Sequence, residues 1–143
     1  MAQMEITREE ITEIYPTVAA TIADALGCDA DEVTPQASLI EDLNAESIDF
    51  LDIVFRLEKE FGLSKIDRNE LFPESIFQGE AGLVKDGLVT PHGLSELKVK
   101  MPFADPAAID TFGKNPKLES IGDLFTVDLI CRFVAMKLKA KAA

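Results

Sequence analysis

Apolar residues recur at helical spacing through most of the chain. Ile11, Ile14, Tyr15, Val18, Ile22 and Leu26 follow one another at intervals of three and four, which predicts a helix over residues 7–26. Thr7 and Glu10 form a T-x-x-E capping box at its start, and Gly27 is a natural stop. Pro16 interrupts the run, so a kink or an early turn is expected there. Residues 27–45 read as a long acidic loop whose apolar members, among them Leu39, Ile40 and Leu43, suggest that it is packed down. A second helix is predicted over 47–61, with Ile48, Leu51, Val54, Phe55 and Phe61 on one side, Asp49, Asp52 and Glu58 largely on the other, and Gly62 as its end. Short helices are expected near 66–72, 74–78, 91–99 and 106–112, the last two announced by Thr90-Pro91 and Asp105-Pro106, each a cap residue before a proline at the first helical position. The last helix is read from Ser120, capped with Asp123, through Ile121, Leu124, Phe125, Ile130, Phe133, Val134 and Leu138, with Lys137, Lys139 and Lys141 favouring its C-terminal end. No alternating strand pattern competes, so the fold class is all-α, a small bundle with extra helical segments.

Composition bounds what such a bundle can do. The 143 residues fit one domain, and 47% hydrophobic with 28% charged residues is ordinary for a folded chain. The net charge of -12 argues against nucleic acid and against anionic membrane surfaces, which need a positive face. The charge is uneven: residues 1–64 hold 15 acids and 3 bases, and residues 65–143 hold 11 of each. The imbalance therefore lies wholly in the N-terminal part, and it points to basic partners, to cations or only to solubility. Cys28 and Cys131 stand far apart among apolar neighbours and read as buried, reduced thiols. The acidic start, MAQMEITREE, has no apolar core of a signal peptide, and no apolar run approaches membrane-spanning length, so a cytoplasmic protein is expected.

The segment richest in chemistry is Asp42-Leu43-Asn44-Ala45-Glu46-Ser47-Ile48-Asp49, followed by Leu57-Glu58-Lys59-Glu60-Phe61-Gly62. It places a serine at a helix start between carboxylates. Such a serine is commonly no more than a cap. A hydroxyl there can also bear a phosphate that the helix N-terminal amides receive, with the surrounding acids attracting a basic enzyme. The segment resembles the prosthetic-group site of acyl carrier proteins, whose pattern is Asp-Leu-Gly-x-Asp-Ser-Leu-Asp with a following helix ending in Glu-Phe-Gly. Glu32-Val33-Thr34-Pro35 and Ser38-Leu39-Ile40-Glu41-Asp42-Leu43 upstream are also similar to that family, as is Ser120-Ile121-Gly122-Asp123-Leu124 near the end.

The resemblance covers residues 5–72 and 118–139. It implies a single carrier domain over 1–143, a four-helix core interrupted by a helical insertion over 73–117. It also implies 4′-phosphopantetheine on Ser47, carrying an acyl thioester, with Glu46, Asp49, Asp52 and Glu58 as partner-binding acids. The partners would be a phosphopantetheinyl transferase, and acyl-chain synthases and acyltransferases with basic docking surfaces. The protein would act as a monomer and would not itself be an enzyme. Asn44 stands where the family has Gly, Glu46 where it has Asp, and Lys59 where an acid is common, so one partner contact is expected to differ.

The insertion carries Ile76, Phe77, Leu83, Val84, Leu88, Val89, Leu94, Leu97, Met101, Phe103, Ile109 and Phe112, too many apolar groups to leave exposed. Either they form small helices packed for stability or they reshape the acyl pocket. Longer carriers of this kind resemble those handling very long or hydroxylated chains for lipid A-type lipids. Two other functions share the fold: a peptidyl or aminoacyl carrier, and an interaction module that is never modified. A hydrolase reading is poorly supported, because Ser47 has no Gly-x-Ser-x-Gly elbow and the lone His92 sits in a helix-start context. The acidic run from Asp29 fails as a calcium loop, with Thr34 at position six and Ile40 at position twelve. The lysines from Lys137 to Lys141 read as a frayed helix end.

Overall fold

A computed structural model describes residues 6–63, 66, 82–101, 103–104 and 106–142, with the backbone alone for Ser47, Pro106 and 140–142. The expected helices at 66–72 and 74–78 lie outside the described residues, apart from Ile66, which is buried.

Helix α1 spans Arg8–Leu26. Its capping box is formed: the Glu10 amide donates to the Thr7 hydroxyl at 3.2 Å, and the Thr7 amide donates back to the Glu10 carboxylate at 3.2 Å. The helix passes Pro16 without the early turn expected there. It stops at Gly27, whose φ of 72° is the left-handed value that only a residue without Cβ takes freely. Helix α2 spans Ser47–Phe61 and ends the same way at Gly62.

The face that α2 buries differs from the predicted one. Phe50, Ile53, Val54 and Leu57 are buried, Phe61 is half-buried, and Ile48, Leu51 and Phe55 face solvent. The helix carries two apolar rows, and the row at 50, 53, 54 and 57 fills a full helical stripe, so it wins the core. The row at 48, 51 and 55 is left outside.

The last α-helix also starts later than predicted. Leu118–Leu124 is a 3₁₀ helix, with Ser120 and Asp123 inside it. The α-helix, here the fifth (α5), spans Val127–Ala142. The Thr126 hydroxyl caps it by accepting from the Leu129 amide at 3.2 Å. α1 packs on both α2 and α5, and Val18, Ile22, Ile53, Leu57, Ile130 and Val134 sit in the resulting core. The Lys139 ammonium lies 3.0 Å from Glu10, tying the end of α5 to the first turn of α1 where fraying was expected.

Within the insertion, a hairpin precedes two helices. Strands β1 (Val84–Lys85) and β2 (Leu88–Val89) pair antiparallel, a small exception to the all-α expectation. Asp86 and Gly87 both have positive φ, 54° and 77°, the requirement of a tight primed turn. Helix α3 spans Pro91–Lys100 and is capped by the Thr90 hydroxyl accepting from the Gly93 amide at 3.0 Å. Helix α4 spans Pro106–Gly113. Leu83, Val89, Leu97, Met101, Phe103, Ile109 and Phe112 are buried in the same hydrophobic cluster as the carrier helices. Phe103 sets its ring edge on Phe133 of α5, with centroids 5.2 Å apart and planes at 72°. The described part of the insertion is therefore packed into the core of the carrier helices.

Candidate functional site around the first turn of α2

Ser47 is the first residue of α2, and the loop that delivers it is bolted to the far end of the chain. A 3₁₀ turn at Ala30–Glu32 begins the tie, with Val33 buried behind it. The Leu39 amide donates to the Phe125 carbonyl at 2.9 Å, and the Val127 amide donates to the Ala37 carbonyl at 3.0 Å. The buried Ser38 hydroxyl donates to the Gly122 carbonyl at 3.0 Å, and its own amide donates to the Asp42 carboxylate at 2.7 Å. A Cβ on Gly122 would stand 3.3 Å from Ile40, so glycine lets the two segments close. Ser38-Leu39-Ile40 and Ser120-Ile121-Gly122-Asp123-Leu124, set apart by most of the chain, are therefore the two halves of one clasp.

Past the clasp, Asn44 turns the chain with φ 58°. This is the position where the family pattern has glycine, and asparagine is the side chain that best tolerates the left-handed conformation. Glu46 is the N-cap, in extended backbone, and its amide donates to the Asp49 carboxylate at 2.7 Å. Glu46 and Ile48, on either side of Ser47, are both exposed. The predicted acids thus do different jobs. Asp49 caps the helix, Asp52 holds Arg56 at 3.1 Å, Glu58 accepts the Ile66 amide at 2.6 Å, and Glu46 is the most open to solvent. Sequence reasoning missed the exposed row Ile48, Leu51 and Phe55, although two apolar rows are visible in the spacing of α2.

Residues 5–72 match the family described as phosphopantetheine attachment site. The chain is 44% identical over 59 residues to an acyl carrier protein of Thermotoga maritima, covering 41% of this chain and 72% of that one. The chain belongs to the acyl carrier protein family. It is also 46% identical over 52 residues to an acyl carrier protein of Thermosynechococcus vestitus, covering 36% of this chain and 64% of that one. Identity to the acyl carrier protein AcpXL of Mesorhizobium japonicum is 49% over 49 residues, 34% of this chain and 53% of that one. The chain thus spans only about half to three quarters of the length of these relatives.

Phosphopantetheine is the cofactor of such a domain, and the local geometry suits it. A group attached in the first turn of α2 would meet a helix N-terminus, which favours a phosphate, on a stretch whose neighbours are open to solvent. Acyl carrier proteins are carriers and not catalysts: the arm supplies a thiol for a thioester, and the protein supplies a fixed point of attachment.

The other constellations do not assemble. His92 is exposed in the first turn of α3. Among the described residues no group of three or more His, Cys, Asp or Glu side chains could hold a metal, and no helix is long and apolar enough to cross a membrane. Both cysteines are free thiols. Burial pushes the Cys131 thiol up to about 12, and Cys28 is raised by burial and then by Glu32 and Asp29. An open cleft of about 990 Å³ lies between α1, α4 and α5, with Arg8, Thr12, Thr111, Asn115, Asp123 and Arg132 among its lining. Its lining mixes these polar groups with apolar ones such as Ile11, Phe112, Leu124 and Leu129, and no residue of α2 lines it.

Proposed function

We propose that the protein carries a fatty acyl chain as a thioester on a 4′-phosphopantetheine arm attached to the Ser47 hydroxyl, and presents it to fatty-acid or lipid biosynthetic enzymes. The observation that carries the reading is the position of Ser47. It opens α2 at the end of a loop clasped to residues 122–127, between exposed Glu46 and Ile48. The partners are a phosphopantetheinyl transferase, then acyl-chain synthases and acyltransferases whose basic surfaces meet Glu46, Asp49, Asp52 and Glu58. The setting is cytoplasmic, with the protein as a monomer, and residues 1–143 act as one domain with a carrier core over 5–72 and 118–139. The insertion over 73–117 favours a specialised carrier, of the kind that serves lipid A-type lipids with very long or hydroxylated chains.

The test is intact mass after incubation with coenzyme A and a phosphopantetheinyl transferase. The wild type gains the mass of one arm, and Ser47→Ala gains none. Loading of Ser47→Ala would put the arm on another residue and overturn the assignment of Ser47, and loading of neither protein by several transferases overturns the reading in favour of an unmodified module. Melting the protein loaded with acyl chains of increasing length then separates fatty from peptidyl cargo, since only a sheltered chain stabilises the fold.

A further inference from the structure

The cleft of about 990 Å³ between α1, α4 and α5 takes one of its walls from the insertion, and its walls are helices. On α1 it is lined by Arg8, Thr12 and Tyr15, at i, i+4 and i+7, so that wall is one stripe two turns long, about 10.5 Å. The facing wall is α4, through the exposed Ala108 and Thr111. Phe112, Leu124 and Leu129 are buried and form an apolar floor. A helix about 10 Å across fills roughly 420 Å³ per turn. The cleft therefore has the volume of a little over two helical turns, which is also the length of its α1 wall.

The charged groups of the cleft decide what it can hold. Arg132 and Asp128 pair at 2.9 Å with side chains only 20% and 27% exposed, so they largely satisfy each other. Arg8 and Asp123 come from different elements and are exposed, and among the described residues neither has an ion-pair partner. The cleft thus offers one open cation and one open anion. A nucleotide or other polyphosphate would meet two aspartates and a single open cation. An alkyl chain would leave Arg8, Thr12, Thr111 and Asp123 without hydrogen-bond partners. A peptide helix suits all of these groups at once: apolar side chains for the floor, a carboxylate for Arg8, a cation for Asp123 and polar side chains for the two threonines.

We propose that this cleft holds a two-turn amphipathic helix of a partner protein, with an acid at one end of its apolar face set against Arg8 and a base at the other set against Asp123. Because α4 forms one wall, the partner is one that distinguishes this chain from a carrier without residues 73–117. Because no residue of α2 lines the cleft, the occupant leaves Ser47 open. On the reading of the chain as an acyl carrier, it can then be held at the cleft while its arm is served elsewhere.

The experiment uses the full-length chain and lactam-stapled amphipathic peptides of about 14 residues without tyrosine or tryptophan, long enough to stay helical when stapled. Two peptides carry Glu and Lys at opposite ends of the apolar face, in the two possible orders, and a third is scrambled. Tyr15, the only tyrosine, lines the cleft, so its fluorescence reports occupancy there. One of the two ordered peptides gives a saturable change and the scrambled one gives none. Arg8→Glu weakens that binding by about tenfold or more, and replacing the peptide's Glu by Lys restores it. Ala108→Phe, which fills the trough, also weakens it, and Phe55→Ala on α2 leaves it unchanged. Far-UV circular dichroism and Tm establish that each variant is folded. Silence of both ordered peptides, or binding that Arg8→Glu does not alter, overturns the proposal. Loss of binding in Phe55→Ala overturns it as well, since the peptide would then lie on α2. Loading of Ser47 by a phosphopantetheinyl transferase proceeds equally with and without saturating peptide, and inhibition by the peptide would refute the separation of the two sites. A chain that binds the peptide but is never loaded at Ser47 refutes the carrier reading and leaves the cleft assignment standing, so the two failures are distinguishable.

Discussion

Phe103 joins the insertion to the carrier helices, and its removal measures whether the two form one cooperative unit. The side chain is 1% exposed, and it meets the fully buried Phe133 of α5 edge-on at 5.2 Å. Truncating a buried phenylalanine to alanine costs about 3–5 kcal/mol, transfer and cavity terms together. The aromatic pair accounts for roughly 0.5–1.5 kcal/mol of that. Against a total of about 5–15 kcal/mol this is a large fraction, and it lowers Tm by about 10 °C in a chain of this size. The assay is urea unfolding of wild type and Phe103→Ala, followed by far-UV circular dichroism and by tyrosine fluorescence. Tyr15 is the only tyrosine and there is no tryptophan, so fluorescence reports α1 and the loop at Val33, whose carbonyl accepts from the Tyr15 hydroxyl. If insertion and carrier share a core, the two probes coincide and shift together. A loss under about 1 kcal/mol, or a fluorescence transition that stays put while the dichroism transition moves, would refute the shared core.

Other consequences are as concrete. Gly93→Ala should destabilise the fold by about 1–3 kcal/mol in urea, although alanine is the better helix former, because its Cβ would lie 2.3 Å from the Leu83 carbonyl oxygen and 2.7 Å from Val89; an unchanged midpoint would disprove that contact. The Lys139 ammonium, with Thr7, holds the Glu10 carboxyl below its usual 4.5. A carboxyl depressed in the folded state contributes stability that is present above pH 4.5 and lost as the pH falls through the folded value. Glu10→Gln should therefore lower Tm at neutral pH and converge with wild type in acid, and parallel curves of Tm against pH would count against the pair. A thiol reagent at about pH 8 should label Cys28 slowly and Cys131 only after denaturation, since burial holds the latter's thiol up at about 12; rapid labelling of both thiols in the folded protein would contradict the buried site.

Much of this was legible along the chain, and the exceptions have physical causes. The capping box of α1, the glycine stops at Gly27 and Gly62, and the Thr90-Pro91 start of α3 are local signals, and each appears in place. Ser47 at the start of α2 was equally readable from its motif. The buried face of α2 was not, because periodicity finds two apolar rows there and only the packing of α1 and α5 decides between them. The start of α5 was misread for a similar reason. Ser120 and Asp123 have the spacing of a cap, but Gly122 is drawn against Ile40 and the Ser38 hydroxyl, and the helix begins only after Thr126. The hairpin was overlooked despite a signal: Asp86-Gly87 between Val84-Lys85 and Leu88-Val89 is a strong turn sequence, but two residues per strand are too few for alternation to register.

The unequal charge of the two halves follows from the same architecture. Residues 65–143 add no net charge, and the apolar residues described in the insertion go chiefly into the core. Helix α2 meanwhile packs mainly on α1, and on α5 to a lesser extent, which leaves its outer face with the Ile48–Leu51–Phe55 stripe open. A chain built this way can enlarge its interior without altering the face that bears Ser47. It follows that deleting residues 73–117 is a poor probe of cargo. The cut would remove Leu97, Met101, Phe103, Ile109 and Phe112 together and strip the cover from Phe133, so any loss of acyl binding would be confounded with loss of the core. Cargo length is better read from the intact chain, as the acyl length at which the gain in Tm levels off. A gain that is the same for every length would mean that the interior does not measure the chain at all.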